Sequence, residues 1–296
     1  MKNCKLLFLI FPLFLMLASC SFLPIQSDTD FYGLIIGIND YTYLPPPPKG
    51  DLLYCEDDAS SIHSSLIENG WKTEELTLLL GSNATKTNIN NILIDRINQA
   101  NENDFIFVFF SGHGCRISDA DGDEPDGLDE ALVPVDYQPA NSSPLITDDE
   151  LSFIFSACGT EKGIFIIDAC HSGGVINKSL AGTNIRVKSI DSITPKGSGG
   201  SGDLTITNFP VMTACSQNEY SYETGAFGHG VFSYFLLEGF QNLKADRNKD
   251  NYITIRELFN YAENHTETYT SMHAFPTIQH PAMRFPMDLI DILITR

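Results

Sequence analysis

Basic residues are scarce in this chain: 18 Lys and Arg stand against 38 Asp and Glu, giving a formal net charge of −20. That balance argues against nucleic acid or an anionic membrane surface as a partner, and it favours cationic peptides or divalent cations. Paired cysteines of the CxxC kind are missing, which removes the common structural zinc frameworks. Internal repeats are missing too, and no second domain boundary interrupts the region after residue 30. What remains is about 270 residues of ordinary globular composition, within the range of one large domain.

The first long apolar run, Leu6 to Ala18 behind Lys2 and Lys5, is too short for a comfortable membrane span and has the layout of a secretory signal. It ends in Leu17-Ala18-Ser19-Cys20, which resembles the bacterial lipoprotein box. The resemblance implies cleavage before Cys20, a lipid on its sulfur and a mature protein anchored in the bacterial cell envelope. Residues 1–20 are then the signal, 21–30 a tether and 31–296 the folded domain. Loss of Lys2 and Lys5 takes the charge to −22, since no acid lies among the first twenty residues. Five cysteines are left after Cys4 and Cys20 are set aside: Cys55, Cys115, Cys158, Cys170 and Cys215. Five is odd, so at least one thiol stays unpaired unless it bridges chains.

Strand and helix signals alternate from residue 31 onward, which predicts an α/β fold with an open, mostly parallel sheet and helices on both faces. Strands are expected at 31–38, 76–80, 105–110, 164–167 and 209–215. Helices are expected at 57–66, 87–99, 230–240 and 255–263, with a short one opened by Thr147 and Glu150 and running through Phe155. Pro45 to Pro48 mark an extended exposed loop. Residues 175–205, polar and containing GSGGSG, read as a mobile surface loop.

Two of the strands end in chemistry. The run Ile164 to Ile167 stops at Asp168 and Cys170, and the run Phe105 to Phe110 stops at Ser111, Gly112, His113 and Gly114. Ligands of open parallel sheets bind beyond the carboxyl ends of the strands, so a thiol and an imidazole delivered there form a candidate nucleophile and base. His171 is a rival base, but side chains adjacent in extended backbone point to opposite sides. His63 and His229 read as ordinary surface or packing residues. Asp168 is in phase with Cys170 and can face the same crevice.

SGHG and DACHSGG, in that order on successive strands, resemble the caspase-like cysteine peptidases of clan CD, and the metacaspases and their bacterial relatives in particular. The resemblance runs from Phe31 to about Met283. It takes in Gly37, Ile38 and Tyr41, then Cys55, Asp58 and Ala59, DGLDEALVPVDY at 126–137, TDDEL at 147–151, and ACSQNEYSYE followed by GHGVFSYFLL. It implies a cysteine endopeptidase in which Cys170 attacks the peptide carbonyl and His113 protonates the leaving amine. The Gly114 and Cys170 main-chain N–H groups form the oxyanion hole, and no cofactor is needed for that chemistry. Asp58 and Asp168, with Cys55 and Ser111, would line the specificity pocket. Two carboxylates in a small pocket repel unless a cation lies between them, which implies cleavage of protein or peptide substrates after Arg or Lys rather than after Asp.

The same resemblance implies calcium as an activator, held by Asp129, Asp148 and Asp149, with Asn177 where the family has a further aspartate. Thr147 opening a helix is itself a sufficient reason for acids at 148 and 149. A second calcium candidate is DRNKDNYITIRE at 246–257, whose oxygen-bearing residues follow EF-hand spacing, though Thr254 and Glu257 also make a plain capping box. Arg186, Lys188 and Lys196 lie after the catalytic strand, where an enzyme specific for basic residues could cut itself. The expected state is a monomer. The competing reading is a catalytically silent caspase-like module used for binding on the cell envelope.

Overall fold

The computed structural model describes residues 29–44, 50–122, 124, 127–141, 144–170, 185–189, 206, 209–216, 219–284 and 294. Its centre is a six-stranded sheet built from β1 (Phe31–Gly37), β2 (Leu76–Leu80), β3 (Phe105–Ser111), β7 (Gly163–Asp168), β9 (Val211–Thr213) and β12 (Ala282–Arg284). The spatial order is β12-β9-β7-β3-β1-β2. All neighbours run parallel except β12, which lies antiparallel to β9 at the edge. β3 and β7 are buried along their whole length, as central strands covered on both faces should be, and their sequences FIFVFFS and GIFIID are accordingly apolar up to the last residue.

The two faces carry separate cores because successive strand side chains alternate. Leu34, Ile36, Ile106, Val108 and Phe110 pack with Ile89, Leu93 and Ile97 of α2 (Lys86–Gln99) and with Leu151, Ile154 and Phe155 of α3 (Asp148–Phe155). Ile35, Phe107, Phe109, Ile164 and Ile166 pack on the other side. Their partners are Ala59, Ile62 and Leu66 of α1 (Cys55–Glu68), α4 (Val231–Phe240) and α5 (Ile255–Met272). Full burial of each such phenylalanine or isoleucine contributes roughly 2–3 kcal/mol.

Two small antiparallel sheets stand at the carboxyl ends of the central strands. One is β4 (Gly114–Ser118), β5 (Leu128–Leu132) and β6 (Ile146–Thr147), in the order β4-β5-β6. The other is β8 (Ile185–Val187), β10 (Tyr222–Thr224) and β11 (His229–Gly230), in the order β11-β10-β8.

Some sequence expectations need correction. Within the stretch read as a surface loop, residues 185–189 are ordered against β10, and Lys188 is fully buried. The expected helix at 255–263 continues to Met272, because Thr266 and Thr270 extend its buried face and the Thr270 hydroxyl satisfies itself on the Thr266 carbonyl at 2.8 Å. At α3 the Thr147 hydroxyl accepts from Glu150 N as expected, but the Glu150 carboxylate turns to Lys86 and Asn90. Pro45 to Pro48, the signal with Cys20, Asn177, His171 and Lys196 lie outside the described residues.

Candidate active site

β3 and β7 are register partners through their last residues, Ser111 and Asp168. Two residues beyond each stand His113 and Cys170. Strand pairing therefore delivers His113 and Cys170 to the same carboxyl edge of the sheet, where Gly112 N donates to Asp168 O at 3.3 Å.

His113 is held from two directions. Its Nε2 pairs with the Gly50 carbonyl at 2.7 Å, and its backbone N–H donates to the Tyr41 hydroxyl at 2.8 Å, with the two rings 4.8 Å apart. Gly112 is required for this contact, since a Cβ there would lie 2.7 Å from the tyrosine oxygen. Burial pushes the imidazole down to about 4, against the Gly50 and Lys188 carbonyls, which favour its protonated form. Burial likewise pushes the Cys170 thiol up to about 12. Thiol and imidazole are therefore both neutral here.

The segment 185–189 explains why the site is so well sealed. β8 lies antiparallel to β10, with Val187 opposite Tyr222 and Arg186 opposite Glu223. Lys188 N donates to Ser221 O at 3.1 Å, so the strand pairing continues one residue further. The Lys188 carbonyl then receives two hydrogen bonds, from Gly114 N at 3.1 Å and Cys170 N at 3.2 Å. Ser189 bridges back to Gly114.

The Lys188 side chain runs into a closed acidic pocket. Its Nζ lies 3.0 Å from Asp58 Oδ2, 2.9 Å from Asp168 Oδ2 and 2.8 Å from Ser111 Oγ, and all three partners are fully buried. Burial opposes the ammonium, yet Asp168 and Asp58 hold it protonated, well above the ordinary lysine range. Burial would also raise Asp58; Lys188 and His229 instead hold it below the usual carboxylate range. Buried charges persist only where partners and hydrogen bonds replace water, and the pocket supplies them in full. Asp58 accepts from Ser111 Oγ, His229 Nδ1 and Gly230 N, and Asp168 accepts from Ser221 Oγ and Ser233 Oγ.

Cys55, the remaining residue expected in the pocket, sits beneath it with Sγ 3.9 Å from Glu223 Oε2. Cys115 is a buried core thiol raised by burial, and no disulfide joins Cys55, Cys115, Cys158, Cys170 and Cys215 to one another.

Several pocket residues escaped the sequence. His229, expected to be ordinary, contacts Asp58 directly at 2.9 Å. Gly230 leaves room for the ammonium, because a Cβ there would collide with Asp168 Oδ2 and lie 2.6 Å from Lys188 Nζ. Ser221, Glu223 and Ser233 come from the last third of the chain. Their only sequence signal is membership of the ACSQNEYSYE and GHGVFSYFLL stretches.

A second acidic group lies at the turn of the β4–β5 hairpin. Carboxylates of Asp119, Glu124 and Asp129 come within 4.8 Å of one another. Asp148 is raised to about 7 by burial, with Asp149 and Asp129 adding like charge. The expected Asp129, Asp148 and Asp149 thus share one electrostatic neighbourhood, joined by Asp119 and Glu124. The 246–257 loop is different. Asp246 accepts from Lys249 N at 2.7 Å and Asn251 N at 2.9 Å, Asp250 from Tyr252 N at 2.9 Å, and Glu257 completes the capping box with Thr254. Asn251 takes the left-handed φ of 71°.

A family model described as the caspase domain matches residues 32–285. Metacaspase-1A of Aspergillus oryzae is 36% identical over 155 residues, which is 49% of this chain and 35% of that protein. Metacaspase-1B of Neurospora crassa is 34% identical over 155 residues, 49% of this chain and 34% of that one. The matched region spans about a third of the length of these curated relatives. A crystal structure of a protein from Geobacter sulfurreducens shares the fold, with a TM-score of 0.60 at 21% identity over 89% of this chain and 97% of that one. The family match takes in the whole central sheet and both strand-end motifs, and the chain belongs to the caspase-domain family of peptidases.

Proposed function

We propose that this protein is a cysteine endopeptidase that cleaves peptide bonds after Lys or Arg, with Cys170 as nucleophile and His113 as proton carrier. One observation carries the reading: Lys188 lies with its ammonium between Asp58 and Asp168 and its carbonyl on the Gly114 and Cys170 N–H groups. That is the arrangement a substrate needs just before attack. The chain supplies its own example of the substrate.

In the proposed reaction the Cys170 sulfur bonds to the carbonyl carbon while its proton passes to His113. The carbonyl oxygen takes up negative charge on the two N–H donors, an arrangement worth roughly 3 kcal/mol of barrier per donor. Collapse breaks the C–N bond, and His113 returns the proton to the leaving amine. Water then hydrolyses the thioester and frees Cys170. With segment 185–189 in place, the bond so attacked is Lys188–Ser189, and the first turnover is self-cleavage. The neutral thiol and imidazole of this docked state make it slow, because the attacking thiolate has to be generated within the reaction step.

Calcium fits the acidic group on the β4–β5 hairpin. Hard carboxylate oxygens are the ligands it requires, and Asp148 Oδ1 is buried without a hydrogen-bond partner among the described residues. Asp119, Glu124, Asp129, Asp148 and Asp149 would hold it. Bound there, the ion supplies compensating positive charge. Asp129 pairs with Ile117 on the same hairpin whose first residue is Gly114, so ordering the turn would steady the Gly114 donor. The export signal and Cys20 lie outside the described residues, and anchoring of a monomer to the cell envelope rests on the sequence of residues 1–20 alone.

The test compares the wild type with Cys170→Ala on matched fluorogenic peptides ending in Lys, Arg or Asp, with and without calcium. Cleavage of Lys and Arg peptides only, lost in the variant, is the expected result. Equal behaviour of the two folded proteins on every peptide would leave the silent binding module as the better reading.

A further inference from the structure

The docked segment carries a second basic residue, and the fold answers it with a third buried carboxylate. Arg186 and Lys188 are two residues apart in extended backbone, so both side chains leave the strand on the same side. Arg186 faces Glu223 directly across the β8–β10 pair. Its Nε lies 3.9 Å from Glu223 Oε1, and its Nη1 donates to the Asp51 carbonyl at 3.0 Å. The Glu223 side chain is fully buried, whereas the Arg186 side chain keeps about a fifth of its surface exposed. The carboxylate is therefore interior, and the arginine approaches it from the solvent side.

Glu223 has a structural duty as well. Its two oxygens accept from Leu53 N at 2.8 Å and Tyr54 N at 3.1 Å, just ahead of α1. A glutamine of the same shape would offer one oxygen to these two amides, so the carboxylate serves here through both of its oxygens as well as through its charge. A full carboxylate at this depth is costly, and burial raises it to about 7, with Lys188 the foremost influence in the opposite direction. Lys188 and the two amides offset part of that cost, and a cation at the position of Arg186, directly across the strand pair, offsets more of it. An uncharged side chain there would forgo that contribution, and an acidic one would add like charge.

We propose that Glu223 is a second specificity determinant, selecting substrates with a basic side chain two positions before the Lys or Arg that precedes the scissile bond. The substrate class is then an extended peptide of the form basic-x-basic, added as a strand to β10, with Arg-Val-Lys at 186–188 as the built-in instance. This rests on the reading of Lys188 as a substrate residue.

The experiment measures kcat/KM for five fluorogenic peptides: Ile-Arg-Val-Lys, the same sequence with citrulline, Gln or Glu in place of Arg, and Ile-Arg-Val-Gln. The enzymes are the wild type and Glu223→Gln, with Cys170→Ala as the control for background. Citrulline keeps the length and planar shape of arginine, removes the charge and replaces one terminal nitrogen donor by a carbonyl oxygen, so the part of its effect that depends on Glu223 reads the charge. The wild type should favour Arg over citrulline and Gln by roughly tenfold and disfavour Glu further, the range of a close, partly desolvated charge pair. In Glu223→Gln the Arg advantage should fall to less than about twofold, while Lys over Gln at the residue before the scissile bond remains as strong as in the wild type. Equal rates for Arg and citrulline in the wild type, or an Arg preference that survives in Glu223→Gln, would overturn the proposal. Should Glu223→Gln fail to fold, the wild-type Arg-to-citrulline ratio and its decline with added salt decide alone. Failure to cleave any Lys peptide above the Cys170→Ala background would instead defeat the reading on which the proposal stands.

Discussion

Asp58 and Asp168 converge on Lys188 inside the pocket, whereas Asp119, Glu124 and Asp129 converge on one another at the turn of the β4–β5 hairpin. The contrast shows in their proton affinities. Asp58 is held below the ordinary carboxylate range by Lys188 and His229 despite complete burial, while Asp148, with Asp149 and Asp129 nearby, rises to about 7. Burial acts in the same direction on both, so the counter-charge makes the difference. The first cluster is complete with a side chain of the chain itself. The second is suited to a cation from solution. One fold thus holds clustered acid in two ways, closed around a lysine of its own and gathered on a hairpin turn.

The contrast can be broken most severely at the reacting groups. Cys170→Ala should lower cleavage of Lys peptides by at least about a thousandfold, while its thermal midpoint stays near that of the wild type, since only the nucleophile is removed. Gly230→Ala attacks the pocket instead. The new methyl would sit against Asp168 and Lys188 Nζ, so kcat/KM for Lys peptides should fall by roughly a hundredfold. A normal rate in that variant would mean that basic side chains bind elsewhere.

The second cluster should respond more gently. If calcium occupies it, Asp148→Asn should weaken calcium activation by about tenfold in concentration, read from activity against free calcium, and leave the calcium-independent rate within about twofold. Identical calcium curves would remove Asp148 from the site and undo the comparison.

The smallest effect concerns pH. His113 has to be neutral to take the proton of Cys170, and burial holds it down at about 4 in the docked state. Self-cleavage should therefore keep its rate from neutral pH down to about pH 5 and fall only as His113 takes up a proton below that. Glu223, raised to about 7 by burial against the pull of Lys188, adds at most a shallow step. A half-maximal rate at the ordinary histidine value of 6.5 would show that the imidazole is solvated when it reacts.

Much of this site was legible in the sequence, because its elements are local. An apolar strand ending in His113 or in Asp168 and Cys170 announces both the sheet and the place where it delivers chemistry, and strand pairing does the rest. The pocket was legible only through the family resemblance, which put Asp58 beside Asp168; two such carboxylates then demand a cation. Which cation was not. Lys188 and Asp58 are 130 residues apart, and β8 is too short for alternation to show against its Gly- and Ser-rich surroundings. His229 and Gly230 reach Asp58 across 171 and 172 residues, and neither carries a local pattern that distinguishes a pocket wall from a packing residue. At 246–257 the reverse holds. Calcium-loop spacing is plain in the sequence, and the same oxygens close a self-contained turn onto their own backbone N–H groups.

The most direct measurement is intact-mass analysis of the full chain during incubation with calcium, alongside Cys170→Ala and Lys188→Gln. The account predicts a first-order cut, independent of protein concentration, giving one fragment that ends at Lys188 and another that begins at Ser189. That cut should be absent from both variants. A wild type that cleaves Lys peptides while its own Lys188–Ser189 bond stays intact, or that is first cut elsewhere, would contradict the placement of Lys188 as the enzyme's own substrate residue.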